Sequence, residues 1–354
     1  MSGQDVATLD RAAIAAVDSS DELADILAIP EHLRDALWRV ESAALQRFEA
    51  PHGLIVAGMG GSAIGGRLAR AALGDRASRP ILSARSYELP AWTTPDTAVL
   101  CSSYSGNTEE TLACYDAAGA LGATRVVATT GGQLADNARA DGVPVIPLPA
   151  GLQPRCAVGY MTVAALEVAA LCGAGESVRS EIDVAAAHAE QLLDEWGPDG
   201  APDSLAKQLA AGLVGTVPQI AGAGLTSAIA YRWKCQINEN SKMPAFAHEL
   251  PELDHNEIVG WSGTGEIGRF AAVFLDDCDL HPSTRRRIEL TRGLIEKDAA
   301  ATFVVETRGA SATERMVSLV VLGDLVSLYL AVLRGVDPTP VEVIEALKGE
   351  LARA

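Results

Sequence analysis

Between residues 53 and 148, short apolar stretches alternate with helical ones, and this alternation limits the folds open to the chain more than any other feature. Gly53–Ala57, Pro80–Ala84, Ala98–Ser102, Arg125–Thr129 and Pro144–Leu148 are apolar runs of strand length. Helical segments stand between them at Ser62–Leu73, Glu109–Leu121 and Gln133–Arg139, and another follows at Val158–Leu171. Strands joined through helices form right-handed βαβ units, which predicts a parallel sheet covered on both faces. A polar connection rich in Asp, Gly and Pro spans Glu195–Asp203. The alternation then restarts, with strands at Val217–Ala221, Phe270–Leu275 and Thr302–Glu306 and helices at Ser227–Ile237, Ser283–Ile295 and Thr313–Leu333. A chain of 354 residues is long enough for two such α/β domains. Residues 20–49 predict amphipathic helices ahead of the first block.

The two blocks share a loop. Gly58-Met59-Gly60-Gly61-Ser62-Ala63-Ile64-Gly65-Gly66-Arg67 matches Gly222-Ala223-Gly224-Leu225-Thr226-Ser227-Ala228-Ile229-Ala230-Tyr231-Arg232 with one inserted residue. Both follow an apolar strand and open a helix, which points to a duplicated domain. Ligands of open parallel sheets collect beyond the carboxyl ends of the strands. There the first block carries Ser102-Ser103-Tyr104-Ser105-Gly106-Asn107-Thr108 between a strand and a helix. Hydroxyls, free backbone N–H groups and the positive end of the helix dipole together make a phosphate cradle. Helix capping also favours such residues, but it needs fewer hydroxyls than stand here. The candidates are Ser103, Ser105 and Thr108, with Gly61 and Ser62 from the glycine loop. The second block has Asp276-Asp277-Cys278-Asp279 at the matching place, which would repel phosphate, so the first block alone is expected to hold one. Gly58-x-Gly60-x-x-Ala63 imitates a dinucleotide fingerprint, yet the next strand ends in Arg85-Ser86 where that fold wants an acid.

A formal charge of −18 without a basic stripe argues against nucleic acid and anionic membranes. The six cysteines stand singly with no Cys-x-x-Cys pair, the usage expected of free thiols in a reducing cytoplasm. Acidic residues at 5, 10, 18, 21, 22 and 25 read against a secretory signal, and charges or glycines interrupt every long apolar run, so no membrane partner is expected. His248-Glu249-Leu250-Pro251-Glu252-Leu253-Asp254-His255 gathers metal-ligand types, but Pro251 prevents one helix from presenting both histidines; no metal is expected.

The serine and glycine loops together resemble the sugar isomerase (SIS) domain. Four motifs stand in order: Ser103-x-Ser105-Gly106-Asn107-Thr108, Pro154-Arg155, Asn238-Glu239-Asn240 and His255-Asn256-Glu257. With them the chain resembles bifunctional phosphoglucose/phosphomannose isomerases beyond about residue 20. The resemblance implies two tandem SIS domains, each a three-layer α/β/α sandwich, at 51–190 and 204–335. N-terminal helices at 1–50 and a C-terminal helix within 336–354 complete the organisation. It further implies an aldose–ketose isomerase acting on a phosphorylated hexose through a cis-enediolate, without cofactor. In that reading Glu239 is the base for the carbon proton and Arg155 stabilises the enediolate. Lys348 and His255 would open the sugar ring, with His255 reaching the site from a neighbouring subunit of a homodimer, and Thr339 would bear on mannose specificity. Without the resemblance, Glu239 is a helix-end glutamate, Arg155 a salt-bridge residue, His255 a loop histidine and Lys348 a solvated lysine. A non-catalytic sugar-phosphate sensor or another phosphosugar isomerase is the alternative.

Overall fold

The computed structural model describes residues 9–351 and 353. Three helices come first: α1 (Arg11–Ala15), α2 (Glu22–Leu27) and α3 (Ile29–Ser42). Pro30 sits in the first turn of α3, where a missing N–H breaks no helical bond. The first block then runs β1 (Leu54–Ala57), α4 (Gly60–Leu73), β2 (Ile81–Ala84), β3 (Ala98–Ser102), α5 (Glu109–Ala120), β4 (Thr124–Thr129), α6 (Gly132–Asp141) and β5 (Val145–Pro147). Helices α7 (Val158–Leu171), α8 (Arg179–Trp196) and α9 (Leu205–Leu213) lead to the second block. That block comprises β6 (Val217–Gly222), α10 (Leu225–Asn240), β7 (Phe246–Glu249), α11 (Glu257–Gly260), α12 (Thr264–Ile267), β8 (Phe270–Asp276), α13 (Pro282–Ile295), β9 (Ala301–Glu306) and α14 (Ala312–Arg334), with α15 (Glu342–Leu351) after it.

Both sheets are parallel, ordered β2-β1-β3-β4-β5 and β7-β6-β8-β9. In each, the first strand lies between the second and third and the fourth pairs beyond the third, so the duplication read from the glycine loops extends to topology. The strand not anticipated is β7: Phe246-Ala247-His248-Glu249 is a half-exposed edge strand with no apolar run to signal it.

Alternation divides each sheet between two cores. Leu54, Val56, Leu100, Val126 and Ala128 face α4 and α7, whereas Ile55, Ala57, Val99, Cys101 and Val127 pack with Cys114, Tyr115 and Leu134 of α5 and α6. The first of these cores continues into the second half, where Ile220, Val273, Leu275 and Val305 meet α10 and α14. Helices α4, α7, α10 and α14 therefore form a layer between the sheets.

Helix α14 is long and apolar enough to cross a membrane by length and composition, which the sequence reading did not anticipate. Here it is the central helix of the core, buried continuously from Thr313 to Ala331. Asp324 at its middle pairs with buried Arg232 of α10 at 2.6 Å. A Cβ on Gly323 would stand 2.2 Å from the Trp233 indole nitrogen, so glycine is what lets α10 and α14 approach. Four of the six free cysteines are buried.

Candidate active site

The turn from β1 into α4 and the turn from β3 into α5 lie against each other. A Cβ on Gly58 would stand 2.5 Å from the Ser102 carbonyl oxygen, and one on Gly61 2.6 Å from that of Pro154. Buried Ser62 accepts the Tyr104 N–H at 3.1 Å. Ser103 Oγ accepts the Gly106 N–H at 3.1 Å and lies 2.9 Å from Thr108 Oγ1. Exposed Ser105 accepts the Asn107 N–H at 3.2 Å, and the Asn107 amide oxygen accepts the Gln133 N–H at 3.0 Å. Gly106 takes a φ of +71°, and a Cβ there would meet the Gly131 carbonyl oxygen. The loop is thus pinned to α6 with its hydroxyls gathered at the carboxyl ends of β1 and β3. No side chain caps α4 or α5, so first-turn N–H groups are left for an anion.

Arg155, buried in the turn before α7, backs onto Gly61 through its own main chain. Its Nε and Nη2 donate to Glu22 at 3.3 and 2.8 Å, and Nη2 also donates to the Pro338 and Thr339 carbonyls at 3.0 Å each. Nη1 is left 3.9 Å from Glu239 Oε2. Glu22 is itself placed by Asp18, whose carboxylate accepts the Glu22 and Leu23 N–H groups at 2.9 Å. Burial pushes the Glu22 carboxyl up, against the pull of Arg155. Burial also opposes the Arg155 charge, but Glu22 more than offsets it and the guanidinium stays firmly cationic.

Glu239 lies in the last turn of α10, and its neighbours fix that turn. The Asn238 amide oxygen accepts the Ala245 N–H at 2.9 Å, Asn240 donates to Ser327 Oγ at 3.0 Å, and Ser241 donates to the Ser327 carbonyl at 2.7 Å. Lys242, at a φ of 52°, donates to the Glu239 and Pro338 carbonyls at 2.5 and 2.8 Å. Burial first, and Arg155 second, push its ammonium below the ordinary lysine range. Glu22 and Lys242 are the two site residues that sequence reasoning missed. A lysine three places past Glu239 at a helix C-terminus was a readable signal; nothing local set Glu22 apart from the other N-terminal acids. Thr339 is adjacent, its Oγ1 buried without a partner.

Five predicted residues are thus gathered in the serine and glycine loops, joined through Gly61 to Arg155 and from there to Glu239. Two are not brought to them. His255 is exposed in a single turn after β7, and Lys348 is exposed on α15. Among the described residues, no hydrogen bond or ion pair joins either one to Arg155 or Glu239. His248 is held by Glu257 at 2.9 Å and by Gln219, so the two histidines of that segment do not converge. Asp277, Cys278 and Asp279 do converge, but Arg315 pairs with both carboxylates, at 2.8 Å for Asp277.

Residues 202–351 match the family described as the bacterial phospho-glucose isomerase C-terminal SIS domain. A bifunctional phosphoglucose/phosphomannose isomerase of Caldicellulosiruptor bescii is 43% identical over 302 residues, 84% of this chain and 89% of that one. The chain belongs to the bifunctional phosphoglucose/phosphomannose isomerase family. A second member of this isomerase family, from Aquifex aeolicus, is 35% identical over 302 residues, 85% of this chain and 91% of its own. Among solved structures, the C-terminal domain of glucosamine-fructose-6-phosphate aminotransferase from Francisella tularensis superposes with a TM-score of 0.71 at 14% identity, covering 90% of this chain and 97% of that one. A glucose-6-phosphate isomerase like protein from Thermus thermophilus gives 0.63 at 17% identity, covering 96% and 98%. At such identities the likeness is one of fold, and that fold is the tandem SIS arrangement of parallel sheets flanked by helices.

Proposed function

We propose that this isomerase interconverts glucose 6-phosphate and mannose 6-phosphate with fructose 6-phosphate, with Glu239 as base and Arg155 as enediolate anchor. The observation that carries the assignment of roles is the free Nη1 edge of Arg155, 3.9 Å from the Glu239 carboxylate, on a residue whose main chain packs against Gly61 of the glycine loop. Gly61, Ser62, Ser103, Ser105 and Thr108 hold the phosphate. Lys348 and His255 of a second copy move the proton between O1 and O5 that opens the ring, a task suited to imidazole near neutrality. Glu239 takes the C2 proton to form the cis-enediolate and returns it to C1, while a proton passes from O2 to O1. The guanidinium favours the charge that develops on those oxygens, where a low-dielectric site magnifies its effect. The two aldoses differ only at C2 and share the enediolate, so one base serves both when the C2–C3 bond turns. Buried Thr339 Oγ1, unpaired beside Arg155, is suited to a sugar hydroxyl.

A homodimer fits this reading, because His255 faces outward and the Val343, Leu347 and Leu351 side of α15 is exposed. Domain limits at 51–190 and 204–335 place one sheet in each range, and the buried free thiols fit residence in the cytoplasm. The test is fructose 6-phosphate formation from each aldose with a chelator present. Turnover of both supports the assignment, and turnover of glucose 6-phosphate alone reduces it to a phosphoglucose isomerase. Binding of fructose 6-phosphate without turnover favours a sensor.

A further inference from the structure

Acidic residues outnumber basic ones by 46 to 28 in this chain, so a cluster of cations without matching carboxylates stands out. One lies in the cleft bounded by α4, β2 and the start of α10, which is lined by Arg67, Arg70, Arg79, Arg85, Ser227 and Glu249. At its edge, three cations converge on the ring of Tyr231. Arg67, Arg85 and Lys234 lie 4.5, 5.1 and 5.3 Å from its centroid. Contact with an aromatic face attracts each cation but neutralises none of them.

The anions at hand do not balance these charges. Glu249 stands 3.8 Å from Arg67 and also accepts the Ser227 hydroxyl. Arg79 is satisfied elsewhere, by Glu49 at 2.7 Å and the Cys172 carbonyl at 3.0 Å. Arg85 and Lys234 have no ion-pair partner among the described residues. Burial, and next the repulsion of Arg85, hold the Arg67 guanidinium below its ordinary range, and nearby Glu249 offsets them only in part. Asp75 also lines the cleft, so Arg67, Arg70, Arg85 and Lys234 stand against two carboxylates, Glu249 and Asp75, and leave an excess of two positive charges.

The internal repeat sharpens the point. Arg67 occupies the position that Arg232 occupies in the second half. Arg232 is buried against Asp324 at 2.6 Å, with all its charge matched inside the protein. Its counterpart in the first half lines the cleft instead, with Glu249 no nearer than 3.8 Å. Arg67 and Arg70 lie five and eight residues along α4 from Ser62, about 7.5 and 12 Å at the rise of a helix, so the α4 side of the cleft lies beyond the first turn that carries Ser62.

We propose that this cleft is a second anion site, shaped for a phosphomonoester dianion and distinct from the Ser103–Thr108 loop. Charge-assisted bonds from guanidinium and ammonium groups are the strong way to hold such a group. Because the proposal does not rest on the catalytic roles, it is tested in the Glu239→Gln background, where the ligand would not be turned over. Inorganic phosphate and fructose 6-phosphate are each titrated calorimetrically into the full chain. About two binding events per chain are expected for each ligand. The surface double variant Arg70→Ala/Arg85→Ala, both residues exposed and lining the cleft, is expected to lose one event, or to weaken it at least about tenfold, while Ser103→Ala loses the other. Arg85→Lys restores the first, and unchanged thermal unfolding excludes a folding defect. A single event that Ser103→Ala abolishes and the double variant leaves intact overturns the cleft site without touching the proposed reaction. Two events that survive the double variant overturn it as well. Retention of both events in Ser103→Ala, while the double variant still loses one, is the opposite result and strikes only the phosphate assignment of the loop. If fructose 6-phosphate fills the cleft and inorganic phosphate does not, the ligand is the sugar ester; equal filling by both assigns the site to the phosphate group alone.

Discussion

Arg155 gives Nε and Nη2 to Glu22 and to the Pro338 and Thr339 carbonyls, and this leaves Nη1 as the edge turned to Glu239. The N-terminal helix α2 thereby acquires a purpose that its acidic sequence did not disclose: it carries the counter-ion that orients the arginine. Glu22→Gln keeps the shape and removes the charge. It is expected to lower kcat by about 10- to 100-fold with KM little changed, because a small misplacement of a positioned group costs that much. Steady-state kinetics with both aldoses would check this, and a raised KM at unchanged kcat would assign Glu22 to binding alone. Gly61 is the other residue on which the site turns. An added methyl at Gly61 would press on the Pro154 carbonyl from 2.6 Å and displace both the glycine loop and Arg155. Gly61→Ala should therefore cost about 1–3 kcal/mol of stability in denaturant titration and raise KM at the same time.

At the scale of elements, periodicity decided what could be read. The strands of the first sheet were legible because buried parallel strands are continuous apolar runs, and the Ser103–Thr108 loop because hydroxyls at a strand end are a local pattern. Edge strand β7 was not, since its pairing with β6 is set by the sheet and not by its own side chains. The Arg155–Glu22 pair was illegible for the same reason, being a contact across 133 positions of sequence. Helix α14 shows the limit from the other side, since composition alone cannot distinguish a core helix from a membrane span. Helix α8 is tied to the first block by Glu181, which pairs with Arg76 and accepts the Thr313 hydroxyl at 2.6 Å. Burial opposes the Glu181 charge, but these bonds outweigh it and hold the carboxyl below the ordinary glutamate range. A carboxyl lowered in the folded state stabilises above its unfolded pKa, and that contribution is lost as pH falls through the folded one. Glu181→Gln should accordingly lower stability at neutral pH by about 1 kcal/mol and flatten the loss below about pH 4.5, as read by thermal unfolding across pH.

For the whole molecule, the two halves repeat one topology but divide the labour. In the proposed reaction the first supplies the anion cradle at its strand ends, and the second supplies Glu239 from the end of α10. His255 is exposed and bonds neither Arg155 nor Glu239 of its own chain, so the reaction as proposed is completed between copies. Mixing Glu239→Gln with His255→Ala subunits tests this, because a hybrid dimer contains one site with both groups intact. Activity should return on subunit exchange to a quarter or so of wild type by random pairing, whereas catalysis within one chain would give no recovery.

The central claim is that one carboxylate serves both sugars through a shared enediolate, with Arg155 beside it. The most direct measurement is turnover of glucose 6-phosphate and of mannose 6-phosphate by Glu239→Gln, with folding checked by thermal unfolding. The account predicts that both activities fall together by about 100- to 10,000-fold, the range of a lost general base. Loss of one activity with the other retained would show that the two aldoses use different bases, and would contradict it.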